Sequence, residues 1–198
     1  MDYVIILQAF WFILPSYIAN ASAKLVGGGT PLDFGKNWKD GKRILGDGKT
    51  IRGLLFGAFI GMIAGFTLVV AAKYIAYSDY AFLKLSDFEG FPLMIPIIFS
   101  LCFGALVGDT VESFFKRRIG KNRGEDWFFF DQIDFIAGAL FFNFVFGILL
   151  QLTGALKVNW FLENFSLWHI LFLFIITPFI HLTANFLHGK MHSANIKS

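Results

Sequence analysis

Five long apolar stretches restrict the fold of this chain more than any other feature of its sequence. They cover approximately residues 3–26, 53–77, 92–115, 132–153 and 167–188. A helix needs about 20 mostly apolar residues to cross the hydrocarbon core of a bilayer, so each stretch is long enough to be a transmembrane helix. Of the 198 residues 56% are hydrophobic, whereas soluble domains average roughly 45–50%. The sequence therefore predicts an all-α integral membrane protein with five transmembrane helices, forming a single domain.

The distribution of Lys and Arg predicts how these helices are oriented. The loop of residues 27–52 carries six such cations and the loop of residues 116–131 carries five, whereas the loops at the opposite ends carry only Lys84 and Lys157. Short loops rich in Lys and Arg stay in the cytoplasm. We therefore expect an outside N-terminus, a cytoplasmic C-terminus and two cytoplasmic basic loops in a protein of the cell membrane.

Four carboxylates lie at the ends of two neighbouring apolar stretches. Asp109 and Glu112 are near the end of the third stretch, and Asp131 and Asp134 begin the fourth. The members of each pair are three residues apart and share a helix face. A carboxylate close to hydrocarbon needs a cation beside it, and Mg²⁺ typically binds one or two carboxylates together with substrate phosphates. All four are candidate metal ligands, and the alternative is ion pairing with arginines of the basic loop.

Three further polar residues are predicted at the depth of these carboxylates. Asn20 in the first stretch, and His181 and Asn185 in the fifth, lie within roughly 10 Å of the cytoplasmic end at 1.5 Å per residue. Polar residues in membrane spans usually face the protein interior or a wet cavity. We therefore include them as candidate binding residues, although each of them alone could simply join two helices by a hydrogen bond.

The first basic loop has the composition of an anion-binding segment. It contains seven glycines and six cations in residues 27–52, and glycines let backbone N–H groups approach a phosphate closely. Gly48-Lys49-Thr50 is similar to the end of a P-loop, but Arg43 stands where the first glycine should be, and no strand precedes it, which excludes that fold. The candidate phosphate-binding residues of both loops are Lys42, Arg43, Gly48, Lys49, Thr50, Arg52, Lys116 and Lys121. The alternative function of this loop is attraction to anionic lipid.

The second apolar stretch has a glycine at every fourth position, namely Gly53, Gly57, Gly61 and Gly65. These glycines make one smooth helix face, which allows another helix to approach closely in lipid. The pattern predicts tight helix packing within one chain or between two chains, so it leaves a homodimer open.

Taken together, these motifs resemble the CDP-archaeol synthase family, archaeal relatives of the CDP-diacylglycerol synthases. The resemblance rests on residues 31–35, 40–53, 108–121 and 130–134 and extends over essentially the whole chain. It implies transfer from CTP to an archaeal ether-lipid phosphate, 2,3-di-O-geranylgeranylglycerol 1-phosphate. The products would be CDP-archaeol and pyrophosphate, Mg²⁺ would be the cofactor, and no nucleic acid would be involved.

Within that resemblance, Asp109, Asp131 and Asp134 are expected to hold Mg²⁺ on the CTP phosphates. Lys49, Arg52, Lys116 and Lys121 would neutralise the triphosphate, with Lys116 counted among the catalytic residues and Glu112 as a further metal candidate. Such a reaction needs positioning and charge neutralisation more than a covalent catalyst.

Two other functions remain open from the residues alone. An ion-coupled transporter could use Asp109 and His181 as a relay, and a non-catalytic scaffold could bind anionic lipid through the basic loops. A transporter requires polar residues along a path to both faces, whereas the outer halves of the apolar stretches are almost wholly apolar. This asymmetry favours chemistry at one membrane surface.

Overall fold

The computed structural model describes residues 3–122, 125, 127 and 130–180. Within these residues the helices are α1 (Tyr3–Leu25), α2 (Ile51–Ala76), α3 (Met94–Arg118), α4 (Phe130–Leu152), α5 (Trp160–Asn164) and α6 (Leu167–Ile180). The first four are long and apolar enough to cross a membrane. The same residues contain no β-strand, only two isolated bridges in the loop that precedes α2. The prediction of an all-α, multi-pass membrane protein is therefore confirmed.

The fifth predicted span is described only in part. Helix α6 starts where the span was expected to start, at Leu167, and continues to Ile180. This described part is shorter than the roughly 20 residues that a transmembrane helix needs. Residues 181–188 of this span lie outside the described residues, so the fifth crossing and the overall orientation stay predictions.

The helices on either side of the second basic loop are longer than the sequence indicated. Helix α3 continues to Arg118 and α4 begins at Phe130, so Lys116 and Asp131 are helical residues and not loop residues. The helix dipole explains the difference, because it favours cations in the last turn of a helix and anions in the first. Both side chains are therefore fixed to rigid elements.

The glycine face of α2 packs within the chain. A Cβ atom added at Gly57 would lie 2.9 Å from the carbonyl oxygen of Ala19 in α1, and one added at Gly65 would lie 2.4 Å from the side chain of Ile98 in α3. Such distances leave no room for a larger residue. The predicted packing face is confirmed as a contact of α2 with α1 and α3, and a homodimer stays a prediction.

A second set of glycines brings α3 and α4 together. A Cβ atom at Gly108 would lie 2.3 Å from the carbonyl oxygen of Asp134, and one at Gly138 would lie 2.3 Å from the carbonyl oxygen of Gly104. The two backbones therefore touch beside Asp134, at the residue that precedes Asp109. This contact is what places carboxylates from two different helices around one site.

The opposite end of the bundle is closed by aromatic packing. Trp160 of α5 is fully buried and stacks on Phe88, with ring centroids 5.6 Å apart. Phe12 of α1 meets the edge of the same indole at 5.6 Å. Helix α5, which the sequence did not predict, thus packs into the end of the bundle that lies opposite the basic loops.

Candidate active site

Asp33 organises the first basic loop. Its buried carboxylate accepts hydrogen bonds from the backbone N–H groups of Gly35 (3.0 Å), Leu45 (2.9 Å) and Gly46 (2.9 Å). It also forms an ion pair with Arg43 at 2.8 Å. Burial alone would raise the pKa of Asp33, but Arg43 and the three backbone donors outweigh it and hold that pKa well below its usual range. An Asp33 that is charged at neutral pH therefore holds the two halves of the loop together.

The last basic residues of α3 anchor the first basic loop on the end of this helix. Arg117 Nε donates a hydrogen bond to the carbonyl oxygen of Leu45 at 3.3 Å, and Arg118 forms an ion pair with Asp40 at 2.7 Å. Lys42 Nζ donates to the carbonyl oxygen of Arg118 at 3.2 Å. These arginines, which the sequence offered as partners of the membrane carboxylates, are used to position the loop.

A polar cavity of about 380 Å³ lies between this loop, α3 and the start of α4. All four predicted carboxylates, Asp109, Glu112, Asp131 and Asp134, line it. The other lining residues are Lys24, Leu45, Gly48, Lys49, Ser113, Lys116 and Arg117. Residues from four separate segments of the chain, namely the end of α1, the loop before α2, α3 and the start of α4, therefore form one site that contains both acidic and basic groups.

Lysines form ion pairs with three of the four carboxylates of this cavity. Lys49 of the loop forms an ion pair with Asp109 of α3. Lys116 Nζ lies 2.7 Å from Asp131 Oδ2 and 3.5 Å from Glu112 Oε1, so it sits between α3 and α4. The backbone N–H of Trp127 also donates to Asp131 Oδ2, at 2.9 Å. Ion pairing is thus present, but its cations are lysines and not arginines.

Two carboxylate oxygens at the same place have no hydrogen-bond partner among the described residues. They are Asp131 Oδ1 and Glu112 Oε1, both buried, and the latter has only the 3.5 Å ion-pair contact with Lys116. A buried acceptor without a partner costs roughly 1–3 kcal/mol and more when it is charged, so such atoms indicate a missing ligand. Asp134 differs, because its Oδ1 accepts a hydrogen bond from the backbone N–H of Phe135 at 2.6 Å.

The donor set fits a divalent metal that arrives with phosphates. The described part of the chain holds no group of three or more His, Cys, Asp or Glu side chains that could bind an ion alone. Mg²⁺ does not require such a group, because it is usually bound through one or two carboxylates plus substrate phosphates and water. The oxygens of Asp109, Asp131 and Asp134, with Glu112 beside them, meet that requirement around one cavity.

An apolar groove of about 590 Å³ adjoins the polar cavity between α3 and α4. Its walls are almost entirely hydrophobic: Val107, Gly108, Val111, Phe115, Trp127, Phe130, Ile133, Ala137, Gly138, Phe141 and Phe142. Glu112 and Asp134 line both the groove and the polar cavity. A molecule with a charged head and apolar tails could therefore contact both spaces at once.

Comparison with known proteins agrees with this arrangement. The family model of the CDP-archaeol synthases (CarS-like) matches residues 2–197. The chain belongs to the CDP-archaeol synthase family. It is 39% identical to the CDP-archaeol synthase of Pyrococcus horikoshii over 186 residues, covering 94% of this chain and 93% of that protein. It is 40% identical to that of Methanocella arvoryzae over 184 residues, covering 93% and 99%.

A solved structure shows the same fold. It is described as an intramembrane enzyme for archaeal membrane lipids biosynthesis, and it is 35% identical to this chain with a TM-score of 0.66. The match covers 91% of this chain and 94% of the solved one. The helical arrangement of this chain is therefore similar to that of an enzyme of archaeal membrane lipid synthesis.

The other predicted phosphate-binding residues do not all line the polar cavity. Gly48 lines the polar cavity. Thr50 is buried and caps α2, where its Oγ1 accepts a hydrogen bond from the backbone N–H of Gly53 at 3.0 Å. Lys42, Arg43 and Lys121 line a second, cationic cavity of about 430 Å³ that shares Arg117 with the first.

Four predicted residues lie away from these cavities or beyond the described residues. Arg52 is exposed and Asn20 is buried in α1, and neither lines the polar cavity or the cationic one. Asn20 Oδ1 lacks a hydrogen-bond partner in the part of the chain that is described. His181 and Asn185 lie outside the described residues, so their roles stay predictions.

The structure adds Lys24, Ser113 and Arg117 to the site. Helical spacing gave a signal for two of them, because Ser113 and Arg117 follow Asp109 by four and eight residues on the same side of α3. Lys24, near the end of the first apolar stretch, was not among the predicted site residues, and Asn20, one helical turn before it, does not line the polar cavity.

Proposed function

We propose that this protein is a membrane cytidylyltransferase that activates an archaeal ether-lipid phosphate with CTP, giving CDP-archaeol and pyrophosphate. The observation that carries the proposal is the junction of two spaces. A polar cavity with four carboxylates and several cations shares Glu112 and Asp134 with an apolar groove between α3 and α4. The names of the relatives support the same activity.

The two spaces suit the two substrates. The triphosphate of CTP would lie in the polar cavity, where Lys24, Lys49, Lys116 and Arg117 supply positive charge. The isoprenoid tails of the lipid would lie in the groove, which would shield them from water. Glu112 and Asp134, the two acidic residues that line the groove, would lie beside the head of the lipid. The lipid phosphate would thus be held at the boundary, next to the nucleotide.

The residues of the site would act mainly by positioning and by neutralising charge. An oxygen of the lipid phosphate forms a bond to the α-phosphorus of CTP, while the bond from that phosphorus to the oxygen bridging to the β-phosphate breaks. Pyrophosphate leaves with the electron pair of the broken bond. A phosphate monoester is already largely ionised at neutral pH, since its second pKa is about 6, so no residue is required to remove a proton.

We propose Mg²⁺ as the metal of this reaction, held by Asp109, Asp131 and Asp134, with Glu112 at the edge of the site. When bound, it would supply positive charge that offsets the repulsion between the two phosphate groups. Lys49 and Lys116 would donate hydrogen bonds to the phosphate oxygens. The abundance of Lys and Arg in the adjoining loops supports a cavity that faces the cytoplasm in the cell membrane.

Substitution Asp134→Asn tests the role of the carboxylates. The amide keeps the size of the side chain and can still accept the hydrogen bond from the N–H of Phe135, but it loses the charge. We expect product formation to fall by about 10²-fold or more, measured as labelled CDP-lipid from CTP, lipid phosphate and Mg²⁺. Asp79→Asn, in the exposed loop at the other end of the bundle, should keep wild-type activity. Full activity of Asp134→Asn would refute the proposed metal site.

Substitution Ala137→Trp tests the groove. Ala137 is exposed on α4 and lines the apolar groove, so an indole there would occupy the volume assigned to the lipid tails. We expect a KM for the lipid phosphate raised about tenfold, with little change in the KM for CTP. Leu149→Trp, also exposed on α4 but outside the groove, is the matched control. Equal effects on both substrates would contradict the assignment of the groove to lipid.

A further inference from the structure

Two lysines form ion pairs with carboxylates that the proposed function assigns to a metal. Lys49 is paired with Asp109, and Lys116 lies 2.7 Å from Asp131 and 3.5 Å from Glu112. Both lysine side chains are largely shielded from water, with exposed fractions of 17% for Lys49 and 11% for Lys116. Each ammonium group therefore contacts a carboxylate oxygen that the proposed function offers to a metal ion.

The reason for this pairing is the concentration of negative charge in the polar cavity. Four carboxylates around one partly buried space repel one another, and a buried charge without a counter-ion is strongly destabilising. The two ammonium groups relieve the repulsion and hold α3, α4 and the loop before α2 in register. The same contacts block oxygens of Asp109 and Asp131 that a metal would need.

We propose that Lys49 and Lys116 are exchangeable counter-ions, an inference that rests on the proposed function. On substrate binding, the carboxylates would exchange their contacts with the two ammonium groups for contacts with the metal. The ammonium groups would then contact the phosphates of CTP. Lysine is suited to this exchange because its charge sits at the end of a flexible four-carbon chain and can donate three hydrogen bonds. Arginine, with its rigid planar fork, would hold a carboxylate more firmly.

Such an exchange couples the binding of metal and nucleotide. A metal that binds alone must displace ammonium groups that then have no anion to contact. A nucleotide that binds alone must draw the lysines away and leave buried carboxylates unpaired. Each ligand therefore binds more tightly when the other is present, and the coupling is reciprocal.

Substitution Lys49→Met should change the two single-ligand affinities in opposite directions. With Asp109 freed, Mn²⁺ without nucleotide should bind to the purified full-length chain at least about fivefold more tightly than to wild type. Labelled CTP in the presence of EDTA should bind at least about fivefold more weakly, because the phosphates lose an ammonium partner. Bound Mn²⁺ is counted by electron paramagnetic resonance, and bound CTP by filter retention.

Lys24→Met separates exchange from general electrostatics. Lys24 lines the same cavity, but no ion pair of its side chain with a carboxylate is found among the described residues. The Lys24→Met substitution removes the same charge as Lys49→Met does. An equal gain in Mn²⁺ affinity for the two variants would therefore overturn the inference. Unchanged or weaker Mn²⁺ binding by Lys49→Met would also overturn it. Lys116→Met, which frees Asp131, provides an independent second variant and should show the same opposite shifts.

The outcome is distinguishable from a failure of the proposed function. A wild-type chain that makes CDP-lipid while Lys49→Met and Lys116→Met show no gain in Mn²⁺ affinity would refute the exchange alone. A wild-type chain that makes no CDP-lipid and retains no CTP, with or without metal, would refute the proposed function and with it the exchange.

Discussion

At the scale of single residues, Asp33 shapes the loop of the site although it does not line the polar cavity. Its carboxylate holds the backbone at Gly35, Leu45 and Gly46 and pairs with Arg43. The same loop carries Gly48 and Lys49 into the cavity. Asp33, which was not among the predicted site residues, is therefore the organising centre of the loop.

Substitution Asp33→Asn should destabilise the protein at neutral pH. An amide cannot form the ion pair with Arg43, and at least one buried donor loses a good acceptor, so we expect a loss of about 1–3 kcal/mol. The measurement is thermal unfolding of the purified protein in detergent, with Asp47→Asn as control. Asp47 also pairs with Arg43, but its side chain is 67% exposed, so that variant should unfold close to wild type.

The destabilisation by Asp33→Asn should depend on pH in one direction only. Because the pKa of Asp33 is lowered by folding, its charge contributes stability above the unfolded pKa of about 3.9, and this contribution is lost as the pH falls through the folded value. The difference in unfolding temperature between wild type and variant should be constant from about pH 5 to 8 and narrow in more acidic buffer. A difference that narrows between pH 5 and 8 would contradict the role given to this charge.

At the scale of elements, the contact between α3 and α4 defines the geometry of the site. Gly104, Gly108 and Gly138 let the two backbones touch. Asp109 and Asp134 then face one cavity, and the groove for an apolar ligand runs along the same pair of helices. The close approach is possible because the residues at the contact have no side chains.

Substitution Gly108→Ala should disturb this contact directly. The added Cβ would lie 2.3 Å from the backbone oxygen of Asp134, so the helices must separate, at a cost of about 1–3 kcal/mol. We expect both a lower unfolding temperature and weaker CTP binding by the folded protein. Gly65→Ala is the matched control, because its Cβ would meet only the side chain of Ile98, away from the cavity. It should lower stability while keeping CTP affinity, and a similar loss of CTP affinity in both variants would argue against a local role for Gly108.

At the scale of the whole molecule, the two ends of the bundle differ in chemistry. One end carries the basic loop before α2, the polar cavity and the ion pairs that join them. The other end is closed by the packing of Phe12, Phe88 and Trp160. This asymmetry suits a reaction at one membrane surface between a water-soluble nucleotide and a lipid.

The predicted orientation can be measured with single cysteines. Lys39→Cys lies in the basic loop before α2, and Asp79→Cys lies in the loop after α2; both positions are exposed. The native Cys102 is buried and serves as the unlabelled background. In intact cells a membrane-impermeant maleimide should label Asp79→Cys, and it should label Lys39→Cys only after permeabilisation. Labelling of Lys39→Cys in intact cells would show that the orientation is the opposite of the predicted one.

Local patterns explain what the sequence could predict. The four long helices follow from apolar length, and the packing face of α2 follows from the spacing of its glycines. The carboxylate pairs follow from their separation along a helix. Helix α5 escaped prediction because a five-residue helix gives too short a pattern, even though Asn159 caps it by accepting a hydrogen bond from the N–H of Phe161.

The sequence by itself determined the class of protein, its helices and the residue types available for chemistry, because these depend on neighbours along the chain. Only the tertiary structure decided which cation meets which carboxylate. Lys49 and Asp109 are 60 positions apart, and their contact depends on how Asp33 folds the loop and how the loop packs on α3. The shared walls of cavity and groove depend likewise on the glycine contact between α3 and α4, which no single segment encodes.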